Sequence, residues 1–289
     1  MVMLHADLPA SAPAESPAYG RAYQLQQLEK YRQRAVNHWS TRIALAQDLV
    51  STYALPRMGK TPHNKVQVVD IGCSIGTFAI EFSKAGFDAV GVDLDAESLE
   101  LARQLAQEEG VSPRFVHSDL GAWDGGGRPI DIAIAFDIFE HLHDDQIGAL
   151  LATIRRRLSS NGTLVFHTFP TEFDFLFFEN EGRLADPLVP FARRPPREFE
   201  RRTRVLAMQL DAGAVEKGGL PRRDAIRLEQ HCNPLGERRL RFMLERAGFE
   251  VSMIRTAQLY PYGKDLADRF KGQPIVDRNL FGAAIPRGV

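Results

Sequence analysis

The sequence predicts an α/β fold, a doubly wound sheet of seven mostly parallel strands with an N-terminal helical cap and an insertion after the fifth strand. Three observations support this prediction. From residue 65 to residue 166, short apolar runs alternate with amphipathic helical stretches, which is typical of a parallel sheet with crossover helices. Residues 169–230 break this alternation, and a helix and two strands follow them. The 289 residues, 44% hydrophobic and 25% charged, suffice for one large domain with additions.

The chain divides into five predicted segments. Residues 1–18 are rich in Ala, Pro and Ser, a composition typical of a disordered tail. Residues 19–60 carry apolar positions at helical spacing and should end their helix at Pro56. Because they precede the first strand, we interpret them as a helical cap. The other segments are the core at 61–168, the insertion or substrate lid at 169–230 and the C-terminal completion of the core sheet at 231–289.

Local signals delimit the elements of the sheet. Asp95 should cap the start of a helix and Gly110 should end it, and Asn161-Gly162 predicts a turn into the fifth strand. The insertion is too long for a simple connection and should contain helices of its own. The predicted strands are 66–71, 88–93, 113–117, 131–136, 163–168, 249–257 and 279–285. The predicted helices are 76–85, 96–109, 144–158 and 235–247.

Composition excludes several classes of protein. A net charge of −1 gives no electrostatic reason to expect a nucleic-acid partner. Cys73 and Cys232 lie far apart and form no CxxC pair, which argues against a zinc site or a disulfide framework and fits a reducing compartment. The sequence shows neither an apolar run of bilayer length nor a secretion signal at its start. We therefore expect a cytoplasmic protein without a membrane span.

The most informative motif is the Asp-Ile-Gly-Cys-Ser-Ile-Gly turn at residues 70–76. A buried strand that ends in glycines and leads into a helix brings a nucleotide-like ligand against bare backbone. The Gly72-x-x-x-Gly76 spacing differs from that of a dinucleotide site, and no Gly-Lys-Ser/Thr follows, so a P-loop is excluded. Asp93 ends the second strand about 20 residues further on, where an acidic side chain accepts both ribose hydroxyls.

These residues, with others at the ends of the third and fourth strands, resemble the motifs of class I S-adenosylmethionine-dependent methyltransferases. The resemblance covers residues 60–168 closely and 235–285 loosely. It is closest to the branch with Glu-His-Leu or Glu-His-Val after strand four, which methylates small molecules. It implies a Rossmann-like methyltransferase fold that ends in an antiparallel hairpin. The motif residues are Asp70, Gly72, Gly76, Asp93, Asp119 and the run Asp137, Glu140, His141, Leu142.

The resemblance implies that the core binds S-adenosylmethionine at the carboxyl ends of its strands. Asp93 would contact the ribose, and Asp119 and Leu120 the adenine. Phe136 and Asp137 would lie under the cofactor near the sulfonium. Asp70, Gly72 and Gly76 would contact the methionine part, and Cys73 and Leu94, which directly follow Gly72 and Asp93, are counted with the cofactor-binding residues. The thiol of Cys73 is interpreted as a packing group rather than a nucleophile.

Catalysis depends on the acceptor, because a hydroxyl needs a base or a metal that makes it more acidic. His141 and His167 are the predicted catalytic bases, and His231 is a further candidate. His141 could instead only fix its loop by hydrogen bonds. Asp137, Glu140 and His141 could alternatively hold a divalent ion such as magnesium, since residues at i, i+3 and i+4 share one face of a helical turn. The sequence leaves the metal undecided.

We expect O-methylation of a hydroxyl on a small molecule such as a sugar, a glycolipid or a secondary metabolite. The alternatives are N- or C-methylation of a similar acceptor, or a protein that binds the cofactor without catalysis. Residues 183–241 contain 14 basic and 8 acidic residues, an excess that favours an acidic or phosphorylated acceptor if the basic residues are not simply solvated. A carbohydrate-containing acceptor is also considered. The Phe173, Phe175, Phe177 and Phe178 cluster either contacts that acceptor or forms the core of the insertion. A homodimer is also considered.

Overall fold

The structure is a computed structural model that describes most of the chain. The described residues are 20–34, 39–119, 123, 127–172, 181–216, 233–259, 268–273 and 278–288. Within 181–216 the side chains of residues 184–210 are described. The predicted tail at 1–18, Leu120, the phenylalanine cluster at 173–178 and the segment that contains His231 and Cys232 lie outside the described residues.

In the described part of the chain, seven strands form one sheet in the order β3-β2-β1-β4-β5-β7-β6. The first five strands pair in parallel, and β7 runs antiparallel to both β5 and β6. This confirms the predicted fold class, including the final hairpin. The strands are β1 (Gln67–Ile71), β2 (Asp88–Asp93), β3 (Arg114–His117), β4 (Ile130–Phe136), β5 (Leu158–Thr168), β6 (Phe249–Ala257) and β7 (Asn279–Pro286).

The order of the strands determines where a ligand can bind. The chain passes from β1 outward to β2 and β3, then returns to place β4 on the other side of β1. Such a reversal opens a crevice at the carboxyl ends of the two central strands. The glycine turn follows β1 and the Asp137–Leu142 turn follows β4, so the topology brings both predicted motifs to this crevice.

Helices cover both faces of the sheet, and this is why the central strands β1 and β4 consist mainly of buried apolar residues. On one face, α6 and α9 bury leucines and isoleucines against the sheet, and on the other face α2 and α4 bury Leu49, Phe78 and Phe82. The short α1 packs through Leu28 and Tyr31 on α4 and α5. The helices are α1 (Arg21–Arg32), α2 (Thr41–Leu49), α3 (Leu55–Met58), α4 (Thr77–Lys84), α5 (Ala96–Glu108), α6 (Asp144–Arg157), α7 (Glu181–Leu188), α8 (Pro196–Glu216) and α9 (Glu237–Arg246).

Two predicted boundaries were wrong. Pro56 does not end the cap, because a π-helical turn at Val50–Ala54 leads into α3 and places Pro56 in a first turn, where its missing N–H is tolerated. The helix ends instead before Gly59, whose φ is +61°. β5 begins at Leu158 and not at residue 163, because Leu158 pairs with Ile130 before an irregularity in the register that contains Asn161-Gly162.

The described part of the insertion has a small core of its own. Leu184 and Leu188 of α7 and Phe199 and Ala207 of α8 pack together with Phe270 from the connection between β6 and β7. The β6–β7 connection, predicted as part of the C-terminal segment, therefore contributes to the insertion. Of the helices that the structure describes, none has the length and apolar composition needed to cross a membrane.

Candidate active site

The glycine turn packs closely against its neighbours. Gly72 and Gly76 have φ values of +68° and +77°, a conformation that costs glycine little. A Cβ on Gly76 would lie 2.6 Å from the Phe115 ring, and a Cβ on Gly72 would overlap the Ile138 side chain. The backbone N–H of Gly72 donates to the Val92 carbonyl at 2.8 Å. The turn thus needs glycine for its conformation and for its packing against the β4 loop.

The side chains of Asp70 and Cys73 point into the protein. Asp70 accepts a hydrogen bond from the Ala79 N–H of α4 at 3.2 Å, and burial raises the pKa of its carboxyl to about 7. Burial also raises the pKa of the Cys73 thiol, which lies 2.7 Å from where a Cβ on Gly91 would be. Both side chains stabilise the turn, so a contact between Cys73 and a cofactor would use its backbone. Direct binding by Asp70 and Cys73 stays a prediction.

Asp93 presents a carboxylate at the end of β2. One oxygen accepts from the Ser74 N–H at 2.7 Å and the other from the Asp95 N–H at 2.9 Å. Burial raises the pKa of this carboxyl. Each oxygen keeps a second lone pair, so the half-buried group can still accept from a diol. Leu94 is 44% exposed beside it, and Asp119 is exposed at the end of β3.

The N-terminal cap reaches across this edge of the sheet. Gln24, in the first turn of α1, donates to the carboxylate of Asp95 and to the Ser98 hydroxyl, the latter at 2.5 Å. The preceding residue, Tyr23, has a raised pKa because of burial and of the negative charge on Asp137. The start of α1 therefore lies between the end of β2 and the end of β4.

Asp137 is the centre of a charged network at the end of β4. Its φ of +53° is uncommon for a residue with a side chain. Its N–H donates to the His167 carbonyl at 2.9 Å. Its carboxylate contacts His167 Nδ1 at 2.6 Å and forms an ion pair with Arg42 of α2. Burial alone would raise the pKa of Asp137, but the charges of Arg42 and His167 outweigh burial and hold it well below its ordinary value.

His167 has no exposed surface. Its Nδ1 contacts Asp137, and its Nε2 lies 2.9 Å from Oδ1 of Asn279 on β7. The Phe136 ring stacks on it with a centroid distance of 5.5 Å. Because both ring nitrogens face acceptor oxygens inside the protein, the structure gives His167 no nitrogen with which to take a proton from a substrate. This placement changes its interpretation from a base to a residue that positions Asp137.

Glu140 and His141 follow on a single helical turn. Glu140 is 2% exposed, and one of its oxygens accepts from the Thr168 hydroxyl at 2.7 Å. Burial and the charge of Asp137 raise the pKa of its carboxyl to about 8. His141 has a 30% exposed side chain, and its Nε2 lies 3.9 Å from Glu140 Oε1. Of the two predicted bases, His141 is the one that can contact a substrate.

The three candidate metal ligands are not arranged as a metal site. The oxygens of Asp137 contact Arg42 and His167, and Glu140 binds Thr168. A guanidinium beside the carboxylate opposes the binding of a cation. Among the described residues, no group of three or more His, Cys, Asp or Glu side chains could hold a metal ion. These residues do not fit a divalent ion, and no step is assigned to one.

Sequence reasoning missed Tyr23, Arg42, Thr168 and Asn279. Each belongs to an element other than the β4 turn, and none stands in a motif. Arg42 is the clearest case. Its helix has the apolar pattern expected of a cap, and the charged arginine is almost fully buried, with 7% of its surface exposed. A buried arginine needs a partner, but the sequence does not indicate which of 37 acidic residues it is.

Comparison with known proteins shows what the chain is similar to. Residues 29–253 match a family model described as a methyltransferase domain. The chain is similar to a ubiquinone biosynthesis O-methyltransferase of Aliivibrio fischeri (strain MJ11), with 26% identity over 171 residues, 58% of this chain and 69% of that protein. It is also similar to a protein of the same name from Chelativorans sp. (strain BNC1), with 30% identity over 139 residues, 43% of this chain and 54% of that protein.

A solved structure resembles the fold over nearly the whole chain. It is the magnesium protoporphyrin IX methyltransferase from Synechocystis PCC 6803 with bound SAH, with a TM-score of 0.55, 18% identity and coverage of 94% of this chain and 96% of that chain. At this identity the likeness shows the fold alone.

Proposed function

We propose that this chain, which belongs to the methyltransferase domain family and is an S-adenosylmethionine-dependent methyltransferase, methylates a hydroxyl oxygen of a small molecule. The observation that carries the proposal is a partly exposed histidine, His141, beside the buried acid Glu140 at the crevice between β1 and β4. A hydroxyl acceptor needs such a base. The name of the relatives, which specifies O-methylation, supports the same choice.

The groups that line the crevice fit the cofactor. When bound, S-adenosylmethionine supplies a methyl group on a positively charged sulfur. Asp93 offers two acceptor oxygens for ribose hydroxyls, and Leu94 offers apolar surface next to them. We propose that Asp119 contacts the adenine and that Gly72 and Gly76 let the methionine part approach the backbone. Phe136 directly precedes Asp137, and its buried ring, stacked on His167, provides apolar surface beside the turn.

The residues of the β4 turn have separate roles in the proposed reaction. His141 takes the proton of the acceptor hydroxyl through its imidazole. Glu140 lies next to His141 Nε2 and restricts the orientation of the ring. Arg42 and His167 hold the turn in place, because both bind the carboxylate of Asp137, whose positive φ is uncommon for a residue with a side chain. Correct orientation of the acceptor, with water excluded, accounts for much of the rate in such a displacement.

The finer identity of the acceptor is also proposed. We propose a sugar, a glycolipid or a secondary metabolite, bound between the β4 turn and the insertion. The excess of basic residues between positions 183 and 241 supports an acidic acceptor only weakly, because several arginines in this range form ion pairs with acidic residues of the same chain. Arg204 binds Glu172 and Glu200, and Arg239 binds Asp144. We further propose a cytoplasmic location on cysteine usage alone. A homodimer stays a prediction.

Replacing Asp93 tests the cofactor site. Asp93→Ala removes the carboxylate proposed to bind the ribose, so we expect the Kd for S-adenosylmethionine to rise about 100-fold, equivalent to about 2.7 kcal/mol. Isothermal titration calorimetry measures the Kd. Circular dichroism shows whether the variant still folds without the hydrogen bond from the Ser74 N–H. Asp88→Ala, at the other end of β2, is the matched control. Unchanged affinity in folded Asp93→Ala would disprove the assignment.

A panel of acceptors tests the proposed reaction. The protein is incubated with methyl-labelled S-adenosylmethionine and 3,4-dihydroxybenzoate, 3,4-diaminobenzoate or a methyl hexoside, and the products are identified by mass spectrometry. We expect a mass gain of one methyl group on an oxygen for the dihydroxy compound or the sugar, and no transfer to the diamine. Transfer only to nitrogen would support the N-methylating alternative. Binding of S-adenosylmethionine without transfer to the panel or to a fractionated lysate would support the non-catalytic one.

A further inference from the structure

The two ends of the insertion meet beside the catalytic turn. Thr171 and Leu235 pair as a parallel bridge, and the Glu172 N–H donates to the Leu235 carbonyl at 3.1 Å. Glu172 in turn binds Arg204 of α8 at 2.5 Å. The segment that enters the insertion and the segment that leaves it are thus joined to each other and to the long helix of the insertion.

Asn233, in the segment that leaves the insertion, connects it to the turn after β4. Its backbone N–H donates to the Glu140 carbonyl at 3.0 Å. Its side-chain amide donates to the Leu142 carbonyl at 2.8 Å and to Asp144 Oδ1 at 2.9 Å. Asn233 is 5% exposed, so these bonds are largely shielded from water and costly to leave unmade. One residue therefore contacts both sides of His141.

The chemistry of these contacts requires an amide at this position. Both partners of the side chain are acceptors, a carbonyl oxygen and a carboxylate oxygen, so only a donor satisfies them. An aspartate of the same shape would place a negative charge against both. Arg239 also binds Asp144, but it does not contact the backbone of the turn in the bonds described, and its side chain is 44% exposed. Exposed pairs of this kind contribute little.

We propose that Asn233 is a positioning residue. It holds the Glu140–Leu142 turn, and therefore His141, in a fixed position relative to the insertion. The proposal rests on the proposed function, in which His141 is the base. It gives the insertion a second role, because the 171–172 and 233–235 segments are joined to each other and, through Asn233, to the turn that carries His141.

The test compares Asn233→Asp, which keeps the shape and reverses the polarity, with Arg239→Ala, which removes the other partner of Asp144. Amide hydrogen exchange in the SAH-bound protein reports on the turn through the His141 N–H, bonded to Ile138, and the Leu142 N–H, bonded to Phe139. We expect exchange of these amides to rise about tenfold in Asn233→Asp and less than about twofold in Arg239→Ala. In the double variant Asn233→Asp, Asp144→Asn, donor and acceptor are exchanged, and protection should partly return.

Turnover on 3,4-dihydroxybenzoate supplies a readout that a purely structural contact would not move. We expect kcat to fall about tenfold in Asn233→Asp, with the KM for S-adenosylmethionine within about twofold of that of the unaltered protein. Wild-type exchange at the two amides, or a kcat loss that Arg239→Ala shares equally, would overturn the proposal. If the unaltered protein transfers no methyl group to any compound of the panel or to the fractionated lysate, the proposed function fails, while the exchange experiment still decides the role of Asn233.

Discussion

Arg42→Met is expected to lower the free energy of unfolding by about 3 kcal/mol, because the variant leaves the carboxylate of Asp137 in the protein interior without its guanidinium partner. Methionine keeps much of the length and apolar packing of the arginine stem, so the loss reports the charge. We place the expected value at the low end for a broken buried pair, since Asp137 keeps His167 and a quarter of its side chain is exposed. Urea denaturation monitored by circular dichroism measures the change.

The double variant Arg42→Met, Asp137→Asn separates the charge from the packing. If the cost comes from an unpaired carboxylate, neutralising Asp137 should recover at least about 1 kcal/mol of the loss in a double-mutant cycle. Arg57→Met is the matched control, because Arg57 also belongs to the cap but its described hydrogen bonds go to the backbone carbonyls of Ser160 and Asn161. An additive double variant, or equal losses in both single arginine variants, would contradict the pairing.

His141→Ala is expected to lower kcat by about 100-fold or more, since general base catalysis contributes that much or more to reactions that need it. The Kd for S-adenosylmethionine should stay within about threefold, because we propose that His141 contacts the acceptor and not the cofactor. Single-turnover methyl transfer and calorimetry measure the two quantities. His143→Ala, two residues further along and exposed, should leave kcat nearly unchanged.

His167 supplies the contrasting outcome. His167→Asn should lower stability and kcat together, because it removes a partner of both Asp137 and Asn279. The contrary outcome is a fall in kcat of His167→Asn at wild-type stability, together with an active His141→Ala. It would assign the base to His167 and show that the position of this residue in the reacting enzyme differs from its buried position in this structure. The sequence predicts both histidines as bases, and their different surroundings in the structure distinguish the two.

Local patterns were sufficient for the fold and for much of the cofactor crevice. The strands β1 and β4 were predictable because mainly apolar runs are required wherever both faces of a sheet are covered. Gly72 and Gly76 were predictable because a strand-to-helix turn needs their φ values. Asp93 was predictable because a fixed chain distance from the glycine turn brings it to the same edge of the sheet. In each case the signal lies within about 20 residues of chain.

The Asp-Ile-Gly-Cys-Ser-Ile-Gly turn, Asp93 and the Glu-His-Leu run were sufficient to predict the class of enzyme and the edge of the sheet at which a cofactor is expected, because these features depend on backbone conformation and spacing along the chain. The tertiary structure alone decided which distant side chains surround the β4 turn. Arg42 meets Asp137 across 95 residues, Asn279 meets His167 across 112 and Asn233 meets Leu142 across 91. Pairing of charges and hydrogen bonds depends on distance in space, and no periodicity of the chain encodes which distant residues will become neighbours.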